Sequence, residues 1–232
     1  MAVQTSKVAG RRRLHFESLD EVLAESERLT AGRYRRLGNW TLGQILMHLA
    51  LAGDKSIDGT IAGRSGLFFK SAEGKMTRPR WFVRLPAKPF FLVVKWYLRR
   101  WGPPPGIRPP ACFWKEIAPI TGGEGLTDEE GLAAFRRAVG RLKSDNARDL
   151  EGLMTREMFD LYHLRHAEMH LSFIIPEGFE AQPGSEVHPS ALARLVVGID
   201  NTINRCVDVL YNLLHRPSDQ ALTAQPPVDE RA

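Results

Sequence analysis

Cysteine is nearly absent. The chain has two in 232 residues, Cys112 and Cys206, far apart and in no metal or redox spacing. That argues against a disulfide framework and favours a reducing, cytoplasmic setting. Long apolar runs are missing as well. The greasiest stretch, Phe90-Phe91-Leu92-Val93-Val94, falls far short of the about 20 residues that a spanning helix requires. Arg11, Arg12 and Arg13 could open a twin-arginine export signal, but Glu17 and Asp20 stand where an apolar run is needed, so no signal peptide is expected. Strand signals are scarce: each short β-branched run lies inside a helical pattern or beside prolines, and no convincing sheet is expected. Internal repeats are lacking.

Acidic residues are sparse in one region. Residues 70–108 hold ten Lys or Arg against a single acid, Glu73, so this stretch carries +9 of a net +5 and the rest of the chain is −4. The same stretch contains Trp81, Phe82, Phe90, Phe91, Trp96, Tyr97 and Trp101. A basic aromatic segment can meet a membrane surface, an acidic partner or an anionic substrate; it is more often an amphipathic helix with solvated arginines. Nucleic acid is the less favoured partner.

Helix starts are well marked. Ser18-Leu19-Asp20-Glu21, Thr41-Leu42-Gly43-Gln44 and Thr127-Asp128-Glu129-Glu130 are capping boxes, each followed by apolar residues at helical spacing. Trp40, just before the second box, is placed as a hydrophobic staple. These signals predict helices from about 18 to 30, 41 to 59 and 127 to 143. Thr155 caps a fourth, running from Arg156 to Ile175 and stopped by Pro176. Pro189 opens a fifth, through Leu192, Leu195, Ile199, Ile203, Val207 and Leu214. The Pro-rich passage from Gly102 to Pro110 is expected to run extended over the surface. One all-α domain over residues 12–215 is expected, with 1–11 and 216–232 disordered. The apolar side of the last helix suits either a homodimer or packing on the bundle.

The fourth helix carries the chemistry. Its run Tyr162-His163-Leu164-Arg165-His166-Ala167-Glu168-Met169-His170 holds three histidines. With about 100° per residue and His163 at 0°, His166 falls at about 300° and His170 at about 340°, inside a stripe with Phe159, Tyr162, Phe173 and Ile174. A face meant only to pack favours Leu or Ile; buried imidazoles cost free energy unless each finds a partner. His166 and His170, four apart, can present two nitrogens to one divalent ion, and His163 with His166 can do the same. His163 and His170 lie about 10 Å apart along the axis, so the three cannot share one ion on a straight helix. Hydrogen-bonded core histidines are the competing reading. His48, beside the stripe of Ile45, Leu49 and Ala52, can supply a third ligand from another helix. Asp54 points elsewhere, and Glu168 is expected to pair with Arg165 or Arg136 or to face solvent.

The run from Gly38 to Ala50, Gly-Asn-Trp-Thr-Leu-Gly-Gln-Ile-Leu-Met-His-Leu-Ala, resembles the second-helix signature of the DinB/YfiT-like superfamily, as does the closing His166-x-x-x-His170 helix. Leu14-His15-Phe16-Glu17-Ser18 and the Pro-Gly loop near 103–110 resemble an uncharacterised branch of it. The likeness covers about residues 12–176. It implies a four-helix up-down bundle, here with an additional C-terminal helix at about 189–215. It also implies a divalent metal, nickel or zinc, held by His48, His166 and His170. Relatives in that superfamily include hydrolases and thiol-dependent transferases acting on low-molecular-weight thiols. The iron-dependent sulfoxide synthase relatives carry His-x-x-x-His-x-Glu; Ser172 in the last position argues against that chemistry. The expectation is a metal-dependent enzyme acting on a small molecule, with Tyr162 and His163 as candidate acid/base groups. The alternative is a non-catalytic helical protein that docks through residues 70–108, with Arg99 and Arg100 as its test positions.

Overall fold

The computed structural model describes residues 8–57, 68–70, 76–79, 95–100, 125–144 and 156–180, with single helical residues between 195 and 209. The described residues are mostly helical. Four long helices, α1 (Leu19–Ala31), α2 (Leu42–Ile57), α3 (Asp128–Ser144) and α4 (Arg156–Leu171), pack around a shared core. Val22, Leu29, Leu42, Leu46, Ala138, Leu171 and Ile174 are closed to solvent at its centre. No helix among the described residues is long and apolar enough to cross a membrane.

Each capping box works as a local switch from loop to helix. The Ser18 hydroxyl accepts from Glu21 N at 3.2 Å. Thr41 Oγ1 accepts from Gln44 N at 3.2 Å, and Gln44 Oε1 accepts from Thr41 N at 2.9 Å. Thr127 and Glu130 repeat that reciprocal pattern. These bonds satisfy amide donors that the first turn of a helix leaves without partners. The start of α2 has further support from α3. Asp128 Oδ1 accepts from Gly43 N at 2.7 Å, and its Oδ2 accepts from the Tyr34 hydroxyl at 2.7 Å. The same hydroxyl accepts from Leu42 N at 3.3 Å.

Two glycines bring α2 and α3 into backbone contact. A Cβ on Gly131 would stand 2.4 Å from the Gly43 carbonyl oxygen, and one on Gly43 would stand 2.3 Å from that of Thr127. Only hydrogen fits at either position.

The structure corrects the expectation of no sheet and the length of the fourth helix. The helix α4 ends at Leu171, and Ile174–Pro176 form a short strand, β4, antiparallel to β1 (Tyr34–Arg36). Phe173 and Ile174 therefore lie beyond the helix, and their expected places on its face do not apply. The physical reason is a competing set of partners. Arg12 N donates to Ser172 O at 3.1 Å and Leu37 N to Phe173 O at 2.8 Å, while β-branched Ile174 and Ile175 pair with Arg36 and Arg35. A second two-stranded pair joins β2 (Phe68–Lys70) to β3 (Met76–Pro79), with an irregular register between Phe69 and Lys70.

Most of the basic aromatic segment, the Pro-rich passage, Cys112, Cys206 and most of the last helix lie outside the described residues. Residues 95–100 are helical. There Lys95 and Arg99 both pair with Glu157 in the first turn of α4, while Tyr97 and Leu98 are buried.

Candidate metal centre

His48 lies midway along α2, and His166 and His170 lie one turn apart on α4. Packing of α2 against α4 brings their Nε2 atoms together. His48 Nε2 is 3.2 Å from His166 Nε2, and His170 Nε2 is 3.0 Å from His166 Nε2. One nitrogen from each ring lies within 4.8 Å of the other two. Metal–imidazole bonds of about 2.0–2.1 Å put neighbouring nitrogens about 3.3 Å apart around a tetrahedral ion and about 2.9 Å apart on an octahedral face. The two spacings to His166 fall between those values, and the third pair is within 4.8 Å, so three borderline nitrogen donors lie close enough for one divalent ion to draw them together.

The electrostatics agree. Burial pushes His48 down to about 4. Burial, reinforced by the neighbouring rings, also holds His166 and His170 well below the ordinary imidazole value. All three are therefore neutral at pH 7, the form that ligates a metal. His48 Nδ1 and His166 Nδ1 are buried without a hydrogen-bond partner among the described residues, and it is Nε2 of each ring that reaches the cluster. His48 is buried, whereas His166 and His170 are partly exposed.

Aromatic rings flank the cluster. Trp40 stacks on His170 with centroids 5.4 Å apart and planes 16° apart, and leans on His48 at 5.0 Å. Tyr162 lies 5.5 Å from His166 and is 40% exposed. The staple position of Trp40 was legible in the sequence. Its contact with two candidate ligands was not, because that depends on how α2 meets α4.

His163 is not part of the nitrogen cluster. It is buried against Phe159 at 4.5 Å and Tyr162 at 5.4 Å, and its Nε2 has no partner among the described residues. Burial, followed by the charge of Arg156, lowers it to about 4. Asp54 pairs with Arg141, and Arg136 with Glu27.

Glu168 sits elsewhere on α4, in a buried polar network. It pairs with Arg165 and accepts from Phe16 N at 2.6 Å. Arg12, also buried, binds Glu25 and donates to Leu171 O at 3.2 Å. These bonds tie residues 12–16 to the ligand-bearing helix.

Residues 8–85 match the model of a family described as a protein of unknown function (DUF1569). The matched stretch includes α1, β1, Trp40 and His48 and stops before His166 and His170. No curated protein and no solved structure matches the chain.

Proposed function

We infer that the protein is a metal-dependent enzyme, a hydrolase or a thiol-dependent transferase, that uses a three-histidine centre on a small molecule. The observation that carries this reading is the convergence of His48, His166 and His170 Nε2 from two helices. Nickel or zinc is the metal in this proposal, since an all-imidazole set suits both. A divalent ion held there would act as a Lewis acid, making a water or a thiolate reactive near neutral pH.

The chain's own residues do the rest. The three neutral rings leave a bound cation's charge uncompensated, which favours an anionic donor on the substrate. His48 is buried, and His166 and His170 each keep part of their surface exposed. Tyr162 contacts the His166 ring and is exposed, which makes it the better placed of the two candidate acid/base groups. His163 lies under it in an apolar setting and acts through packing. The arrangement of α1 to α4 supports a DinB-like four-helix bundle as the parent fold. A cytoplasmic thiol-containing substrate fits the reducing setting expected from the cysteine usage.

The test is elemental analysis of protein purified without a metal-affinity tag. One divalent ion per chain is expected, with loss of most of it in His48→Ala and His170→Ala. Equal metal content in folded His170→Ala would refute the assigned site.

A further inference from the structure

We propose that Arg12 is a positioning residue for His170: its guanidinium, anchored on α1, pins the end of α4 and so fixes that ligand relative to His48 and His166. The inference rests on the metal-centre reading and adds to it a group that sets the geometry of one ligand.

His170 stands one residue before the end of α4, which closes at Leu171. A helix leaves its last four carbonyls without helical partners, and a final turn with open carbonyls frays. Here all four are bonded. Glu168 O accepts from Ser172 N at 3.0 Å, His170 O from Phe173 N at 3.2 Å and Met169 O from the Ser172 hydroxyl at 2.6 Å. Those donors belong to the two residues that follow the helix, so they move with it. The fourth does not. Leu171 O accepts from Arg12 Nη2 at 3.2 Å, across 159 positions of sequence. Arg12 N donates to Ser172 O at 3.1 Å, one residue further on. The other terminal nitrogen, Nη1, binds Glu25 on α1, and that carboxylate also pairs with Arg28. One side chain thus links the turn that carries His170 to a separate helix. Its charge also suits the negative end of the α4 dipole.

The burial of Arg12 supports the assignment. The side chain is 5% exposed, and its Nε has no partner among the described residues. A buried guanidinium with an unmet donor is a costly way to fill space, and Met or Leu would pack there without that cost. An apolar residue could not hold Leu171 O and Glu25 together.

The experiment uses full-length protein loaded with Co²⁺, whose visible absorption reports ligation directly. Three variants are compared with the wild type: Arg12→Met, Arg12→Lys and Leu142→Ala. The last opens the core beside Phe159, near the other end of α4, and controls for lost stability. In Arg12→Met the Co²⁺ affinity should fall about ten- to a hundred-fold, the usual cost of losing a group that orients a ligand. Release to a chelator should quicken and the cobalt bands should shift. Arg12→Lys, which can keep one of the two side-chain bonds, should fall between, and it gives the reading if Arg12→Met does not fold. Leu142→Ala should keep the wild-type spectrum and affinity at lower stability. Without metal, amide exchange at His170 and Leu171 should quicken in Arg12→Met more than in Leu142→Ala. A wild-type spectrum and affinity in folded Arg12→Met or Arg12→Lys would overturn the positioning role while leaving the metal centre standing. So would an equal loss of affinity in Leu142→Ala. If the wild type does not bind Co²⁺ at all, the metal reading falls and the positioning role with it.

Discussion

Removing Glu168 alone should damage the protein far more than removing it together with Arg165. Both side chains are buried, at 8% and 7% exposure, and they pair directly. Glu168→Leu leaves the Arg165 charge without its partner, a change that typically costs about 3–5 kcal/mol. It also takes the acceptor from Phe16 N, for about 1–3 kcal/mol. Those two costs overlap, and at roughly 2–4 °C per kcal/mol for a chain of this size, a fall of about 10 °C or more in Tm is expected. The double variant Arg165→Leu/Glu168→Leu removes both charges and should regain all but the Phe16 amide cost. Wild type favours this outcome already. Burial, outweighing the Phe16 amide, Arg165 and His15, raises the Glu168 carboxyl above its ordinary value. The folded chain then holds a proton where the unfolded chain has lost it. Stability must therefore decline as pH rises above about 4.5 towards the folded-state value. Glu168→Gln should flatten that slope. Urea titrations of the four proteins across pH supply the measurement. A double variant no more stable than Glu168→Leu would refute the argument that desolvation dominates this pair.

Two further substitutions separate packing from ligation. Gly131→Ala should force α2 and α3 apart, costing about 1–3 kcal/mol and weakening metal uptake through His48; chemical denaturation and a metal competition titration check it, and an unchanged stability would contradict the backbone contact. His163→Leu should retain one metal per chain and reduce acid sensitivity. The folded-state value near 4 lets the unfolded chain bind the extra proton between about pH 6.5 and 4, so the wild type loses stability as pH falls through that window. Thermal melts over that range test the slope, and metal loss in the variant would make His163 a ligand.

The helix starts were legible because a capping box states its bonds in four residues: Ser18, Thr41 and Thr127 each cap as their spacing implies. His166 and His170 were legible as a pair by helical spacing. His48 needed the resemblance, because nothing local marks a lone histidine as facing a helix 118 residues away. The β1–β4 pairing was hidden for a different reason. Three-residue strands containing Arg35 and Arg36 show no apolar alternation, and their partners lie about 140 positions on. The end of α4 was misplaced because Phe173, Ile174 and Ile175 continue the apolar pattern of the helix, while the bonds that divert them come from Arg12 and Leu37. The direct pairing of Glu168 with Arg165, by contrast, was among the expected alternatives.

The carboxylate of Asp128 has a consequence for motion. It belongs to the first turn of α3 but receives the Gly43 amide of α2 and, through Tyr34, supports that of Leu42. If the first turn of α3 frays, α2 loses its acceptor in the same event. The two helix ends therefore open as one unit, and hydrogen exchange at Gly43 follows the lifetime of a turn 85 residues away. The helix that carries His48 does not loosen at this end by itself.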